Sequence, residues 1–173
     1  DVTPAEGSQT GFALSFFRNV SAVTPSGENI VVSPYSAGTV LEMLEYGAQG
    51  ETKVELDNAL NGATFGKEEL GGDNTLVESS NAVWISDDFS VRNRYVSHLE
   101  NYFGAFIDTQ NFSSPAAADI INDWCAEKTS GKIKKIIDRV SPDMVMLLVN
   151  ALYFNAPWAV AFDPGVTREA TFH

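Results

Sequence analysis

The side chains that most often carry out catalysis are sparse in this chain, and none of them occurs at a catalytic spacing. The two histidines, His98 and His173, lie far apart, and neither has a partner at metal-ligand spacing. Cys125 is the single cysteine, so an internal disulfide is excluded, and we interpret it as a packing residue of a helix rather than a nucleophile. The residues therefore predict no enzyme, no metal site and no cofactor.

Three further segments contain residues that take part in phosphate binding or acid–base chemistry in other contexts. Residues 62–67 hold glycines and a lysine, but they lack the spacing of a phosphate-binding loop and no predicted strand leads into them. The acidic pairs at residues 68–69 and 87–88 fall in predicted solvated turns, which argues against an acid–base dyad. We interpret all three as solvated loops.

One polar side chain, Asn150, interrupts the longest apolar stretch, residues 145–154. A strand with one wet face would alternate apolar and polar residues, whereas this one is apolar on both faces. We therefore expect it to be covered on both faces and to lie in the middle of a sheet. Because a buried amide without partners costs roughly 1–3 kcal/mol, a buried polar cluster is expected around Asn150.

The first part of the chain has strong helix signals. Apolar spacing predicts a helix over residues 11–23. A short apolar run at residues 30–32, which we interpret as a strand, precedes Ser33 and Pro34, a capping residue followed by proline at the first helical position. The helix that they open is predicted to bury a face containing Leu44 and to end near Gly47.

The remaining elements follow from turn and capping signals. Residues 52–55 have the form of a capping box that opens a helix ending near Leu60. We then predict a strand at 82–85, a helix at 95–103 with His98 on its exposed face, an edge strand at 105–112, and a helix from Pro115 to about Gly131. Helices and strands in clusters, joined by long connections, indicate the α+β class in a single domain.

The charge balance limits the classes of partner. The chain has 23 acidic and 11 basic residues and a net charge of −12, so its surface repels nucleic acid and anionic lipid. The apolar stretch is too short for a transmembrane helix. Asn19 and Asn111 begin N-glycosylation sequons, and whether they are glycosylated is left open.

Ser33 and Ser36 allow two interpretations. Ser33 acts simply as a helix cap in one of them. In the other, Ser36 faces the sheet one helical turn further on and bonds a buried side chain. Composition favours the first interpretation, and the sequence leaves both open.

The order and spacing of several short motifs resemble the serpin family over nearly the whole chain. The motifs are NIVVSPYS at 29–36, NAVWI at 81–85, YFGA at 102–105, INDW at 121–124, GKI at 131–133 and LVNALYF at 148–154, followed by Trp158, Phe162, Thr167 and Phe172-His173. Two features depart from the family. Asn155-Ala156 stand where Lys-Gly is usual, and residues 66–74 are short and acidic where some relatives have a heparin-binding helix, so heparin is not an expected partner.

The resemblance implies the serpin fold, a helical N-terminal cluster with a large central β-sheet. It covers only about the N-terminal half of a serpin. Residues 1–173 would therefore be the N-terminal part of one domain, with the reactive-centre loop and its reactive bond outside this sequence. We expect a second segment, the C-terminal remainder of the serpin chain, to complete the fold.

The resemblance also implies a function. Serpins trap a serine or cysteine protease as a covalent acyl-enzyme, and the cleaved loop then inserts into the central sheet. By resemblance, Ser33, Ser36 and Asn150 form the latch (shutter) of that sheet, and Trp158 lies in the breach where insertion begins. The helix that covers the sheet contains Asn122, Trp124, Thr129 and Gly131.

The alternative function is a non-inhibitory carrier or chaperone of the same fold. The hinge and loop that separate the two functions lie outside these residues, as does the residue that would select a target protease. A secreted, extracellular location is favoured, with an intracellular one left open.

Overall fold

A computed structural model describes residues 7–66 and 75–171. In chain order its elements are α1 (Gln9–Val23), α2 (Pro34–Gly47), α3 (Gly50–Leu60), β1 (Leu76–Ser86), α4 (Asn93–Phe103), β2 (Phe106–Gln110), α5 (Ala116–Lys128) and β3 (Met146–Asn155). This is the α+β arrangement that the sequence predicts. The acidic pair at 68–69, Phe172 and His173 lie outside the described residues.

Local capping explains several helix ends. Ser33 accepts a hydrogen bond from the Ser36 amide at 3.2 Å and is followed by Pro34 at the first turn, so the predicted start of α2 is confirmed. Gly104 ends α4 in the left-handed region at φ 59°. The prediction that residues 52–55 form a capping box at the start of a helix is wrong. Helix α3 begins at Gly50, which places Thr52 inside the first turn.

The three strands form one sheet in the order β2-β1-β3. Strand β1 is parallel to β2 and antiparallel to β3, with Asn81 opposite Asn150. The sequence places β3 in the middle of a sheet, but within the described residues β1 is the middle strand and β3 is an edge. An apolar run reports that both faces are covered, and it says nothing about neighbours along the two edges.

Helices cover both faces of this sheet. Val83 and Ile85 pack with Met43 of α2 and Leu99 of α4, and the partly buried Met146 and Leu148 join them. On the other face, Ala82 and Trp84 pack with Ile121 of α5, together with Leu147 and Val149. Alternate residues of β1 and β3 therefore enter two different cores, which explains why both strands are apolar on both faces. A third cluster joins α1, α2 and the end of α3 through Phe12, Leu60 and Phe65.

Three smaller predictions are wrong. Residues 30–32 form no strand, and Val31 is 95% exposed. Leu44 is partly exposed, because Thr39 and Met43 form the buried side of α2. His98 is half-buried rather than solvated: its ring stacks on Tyr46 with centroids 3.4 Å apart, a contact between two helices that helical periodicity cannot reveal.

Candidate functional site

A cluster of three polar side chains joins β1 to β3. Asn150 Nδ2 donates to Ser79 Oγ and to Asn81 Oδ1, each at 2.9 Å. Asn81 is buried, and its own Nδ2 donates to the Phe103 carbonyl at 2.8 Å, which ties the cluster to the end of α4. A polar cluster is present around Asn150 as expected, but only Asn81 is fully buried, while Ser79 and Asn150 are partly buried. We call Ser79, Asn81 and Asn150 the polar seam.

One atom of the polar seam lacks a partner. Asn150 Oδ1 is buried, and no donor among the described residues reaches it. An unpaired buried acceptor costs roughly 1–3 kcal/mol. Asn150 Oδ1 can therefore accept one further hydrogen bond that the described residues do not supply.

Ser33 and Ser36 form a separate pair. Ser33 Oγ donates to Ser36 Oγ at 2.8 Å, and the described residues show no hydrogen bond from either serine to Asn150. The two groups nevertheless lie on the same side of the sheet. Helix α2 packs against β3, and Asn150 follows Met146 and Leu148 at alternate positions on the face that packs toward Met43. A common latch for Ser33, Ser36 and Asn150 stays a prediction.

Sequence reasoning missed Ser79 and Asn81. They stand two residues apart on β1 and so share one face, which is a weak signal of a polar site. Their link to Asn150 depends on the antiparallel register of β1 and β3, which neither strand specifies by itself.

On the opposite face, α5 holds the connection that leads into β3. Asn122 is 8% exposed, and its Oδ1 accepts from the amides of Ile136 at 2.8 Å and Ile137 at 3.1 Å. Its Nδ2 donates to the Ile137 carbonyl at 2.9 Å. One side chain thus satisfies three backbone groups of an irregular segment, which fixes that segment against α5.

Thr129 and Gly131 make the turn at the end of α5. Thr129 Oγ1 donates to the Cys125 carbonyl at 2.8 Å and accepts from the Ile133 amide at 3.0 Å. Gly131 has φ 74°, and its amide donates to the Ala126 carbonyl at 2.7 Å. A glycine at this position avoids the penalty that a side chain meets in the left-handed region.

Trp124 packs α5 against the sheet. Its ring meets that of Trp84 edge to face, with centroids 5.2 Å apart and planes at 88°. Such pairs add about 0.5–1.5 kcal/mol to the effect of burial. The structure therefore brings Asn122, Trp124, Thr129 and Gly131 together at one interface between α5, the sheet and the following segment.

Trp158 lies apart from these groups. It is 73% exposed and contacts Phe162, with ring centroids 5.5 Å apart, in a segment without regular secondary structure. Its role at a breach stays a prediction.

Within residues 7–66 and 75–171, no titratable side chain forms a hydrogen bond with the polar seam. Burial raises the pKa of the Cys125 thiol, which is 1% exposed, and so keeps it protonated. Burial also raises the pKa of Glu42, although a hydrogen bond from the Phe65 amide opposes the effect. The described residues contain no group of three or more His, Cys, Asp or Glu placed to hold a metal ion. Among them, no helix has the length and apolar character needed to cross a bilayer.

The described residues form an α+β unit in which helices cover both faces of the sheet and a polar seam joins β1 to β3. The family model described as "Serpin (serine protease inhibitor)" matches residues 7–173, and the chain belongs to the serpin family.

Individual relatives agree with this assignment. The chain is 33% identical over 172 residues to an uncharacterized serpin-like protein of Methanosarcina acetivorans, covering 90% of this chain and 40% of the relative. It is 33% identical over 163 residues to Serine protease inhibitor 42Dd of Drosophila melanogaster, covering 85% and 44%. The structure matches the thermophilic serpin tengpin in its latent state with a TM-score of 0.82 at 25% identity, covering 92% of this chain and 46% of that one. The chain thus spans less than half the length of these relatives.

Proposed function

We propose that residues 1–173 form the N-terminal part of a single serpin domain, and that the full-length protein inhibits serine or cysteine proteases. The protease would cleave an exposed reactive-centre loop and remain bound as an acyl-enzyme. The loop would then add to the sheet as a new strand beside β3. We also propose that the protein is secreted. Its partners would be the target protease and the C-terminal remainder of the serpin chain.

The free edge of β3 is the observation that supports this proposal most directly. Among the described residues, only β1 pairs with β3, and the other edge of the strand presents unpaired backbone groups. Such an edge is a template for strand addition. The position of β3 at an edge does not by itself indicate a protease inhibitor. It supports the proposal here because the relatives are more than twice as long as this chain, so their further residues are available to form neighbouring strands on that side.

The polar seam would act as the latch of the sheet. The hydrogen bonds of Asn150 to Ser79 and Asn81 hold β3 against β1, while Oδ1 has no donor among the described residues. A donor from the remainder of the protein would complete the seam and keep the sheet closed. Insertion of a loop strand would require that donor to leave. The pair Ser33–Ser36, at the start of the helix that packs on β3, would support the same region.

Helix α5 would move during insertion, because it covers the sheet and its connection leads into β3. Asn122 and Thr129 hold this connection through hydrogen bonds to backbone groups of Ile133, Ile136 and Ile137. These contacts would resist movement of α5 and contribute to the barrier that keeps such a protein kinetically trapped. Trp158 would stand at the end of the sheet where insertion begins.

The deciding experiment mixes the full-length protein with trypsin, chymotrypsin, elastase and papain. An inhibitor of this kind gives a covalent adduct that survives denaturing electrophoresis with at least one of them. Protease whose catalytic nucleophile has been chemically blocked serves as the control, because it cannot form the acyl-enzyme. Cleavage of the loop without any adduct would instead support the alternative function, a non-inhibitory carrier or chaperone.

A further inference from the structure

The positive charge of this acidic protein is concentrated in one short segment. Five of the 11 lysines and arginines fall within residues 128–139, where Asp138 is the single carboxylate. The five are Lys128, Lys132, Lys134, Lys135 and Arg139. We call residues 128–139 the basic strip. It runs from the last residue of α5 into the connection that leads to β3.

Much of the charge in the basic strip is available to a partner. Lys128 pairs with Glu127 at 2.9 Å and Lys135 with Asp138 at 2.6 Å. Lys132, Lys134 and Arg139 are exposed, and the described residues give none of them an ion pair. In a chain with 23 acidic residues, three unpaired cations in one segment are a departure from even charge mixing.

The backbone of the strip is held in place. Asn122 bonds the backbone of Ile136 and Ile137, and Thr129 accepts from the amide of Ile133. On the underside, Ile137 and Val140 pack in the core that contains Trp84. The outer side chains therefore project from a fixed backbone, so a partner would lose less free energy in ordering them.

Two exposed apolar side chains lie among the cations of the basic strip. Ile133 is 37% exposed and Ile136 is 39% exposed. Alternation of cations with exposed isoleucine matches a ligand that carries both carboxylates and apolar side chains. The strip has no exposed aromatic ring on which a nucleic-acid base would stack.

We propose that the basic strip is a docking surface for an acidic segment of a partner protein in which apolar side chains alternate with carboxylates. The acidic remainder of the molecule favours a short segment over a long polyanion or an anionic bilayer. Charges more than about 8 Å away are largely screened at physiological salt, so a short ligand responds mainly to the strip. A long polyanion or a flat membrane would extend over the surrounding carboxylates and be repelled.

The test measures binding of a short fluorescent peptide, in which glutamate alternates with leucine, to the full-length protein by fluorescence anisotropy. We expect binding that weakens as salt is raised from low to physiological concentration. Lys132→Ser with Lys134→Ser should weaken it about fivefold or more. Ile133→Ser with Ile136→Ser should weaken it with little change in its salt dependence. The matched control is Arg92→Ser with Arg94→Ser, which removes equal charge near the start of α4 on the opposite face of the sheet and should leave binding unchanged.

Three results would overturn the proposal. One is equal peptide affinity in the lysine double variant and the arginine control. A second is no detectable peptide binding at low salt. The third is binding of heparin or of phosphatidylserine vesicles that depends on Lys132 and Lys134 while the peptide does not bind, since the surface would then recognise a polyanion or a membrane. Circular dichroism of each variant establishes that the fold is retained.

Discussion

Asn150 on β3 donates its side-chain amide to the side-chain oxygen of Asn81, the residue directly opposite it on β1, at 2.9 Å. Asn81 in turn donates to the carbonyl of Phe103 at the end of α4. This chain of hydrogen bonds connects the free edge of the sheet, through its middle strand, to a helix on one face. Any movement of β3 away from β1 must break it.

Removing the Asn150 side chain should therefore destabilise the protein. Asn150→Ala loses two hydrogen bonds and leaves Ser79 and Asn81 without those partners. We expect a loss of about 1–3 kcal/mol in the free energy of unfolding, measured by urea denaturation of the full-length protein. Asn155→Ala is the matched control, because Asn155 is an exposed asparagine at the end of the same strand. Equal losses in the two variants would contradict a special role for the polar seam.

The attachment of the connection between α5 and β3 should depend on Asn122. Asn122→Ala removes three hydrogen bonds and leaves backbone groups of Ile136 and Ile137 without this partner, so we expect a loss of about 1–3 kcal/mol. The variant should also be cleaved faster by limited proteolysis within residues 131–145. Asn101→Ala removes a single exposed bond to the Ser97 carbonyl and serves as the control. Unchanged cleavage in the Asn122 variant would show that packing alone holds the segment.

A substitution at Gly104 tests the effect of backbone conformation on stability separately from any effect on side-chain packing. Its φ is 59°, and a Cβ built there meets no atom within 4 Å. Gly104→Ala should lower the free energy of unfolding by about 1 kcal/mol, because alanine is strained in the left-handed region. Gly104→Asn should restore part of the loss, since asparagine tolerates this conformation better. Equal stability of the alanine variant and the parent protein would mean that α4 ends differently in solution.

The lowered pKa of His98 should contribute to the pH dependence of stability. Burial, and then the nearby Arg94 guanidinium, lower its pKa below the ordinary value of 6.5. As the pH falls through 6.5 toward the folded-state pKa, the unfolded chain binds the proton first, so stability is lost over this window. His98→Gln should remove that part of the loss as the pH falls below about 6.5, measured as the thermal midpoint against pH.

The other histidine provides the control for this measurement. His173→Gln changes the second imidazole of the chain, and we expect it to leave the effect of His98 unaltered. Carboxylates contribute to acid denaturation at lower pH, so the difference between variant and parent isolates His98. Parallel curves for His98→Gln and the parent protein would contradict the prediction.

Periodicity and capping residues were sufficient to predict most of the fold, because these signals are local. Ser33-Pro34 and Gly104 fix helix ends through their own backbone preferences. The candidate site was predictable only at Asn150, where one polar residue stands in an apolar strand. Its partner Asn81, and the position of β3 at an edge, depend on strand pairing between distant residues, which no local pattern contains.

A charge placed in the polar seam should release the proposed latch. Asn150→Lys removes both hydrogen bonds and puts an ammonium group on the face of β3 that packs toward α2, where desolvation weakens the pairing of β3 with β1. Ser36→Phe should act similarly from the start of α2, because its hydroxyl accepts from Ser33 and the bulkier ring disturbs that packing. We expect both variants to insert the loop prematurely or to form polymers.

Polymers would appear by size-exclusion chromatography after mild heating, together with loss of protease inhibition. Asn155→Lys makes the same chemical change at the exposed end of the strand and should remain monomeric. Unchanged inhibition and thermal stability in Asn150→Lys and Ser36→Phe would contradict the latch, since a seam that tolerates both changes does not control the opening of the sheet.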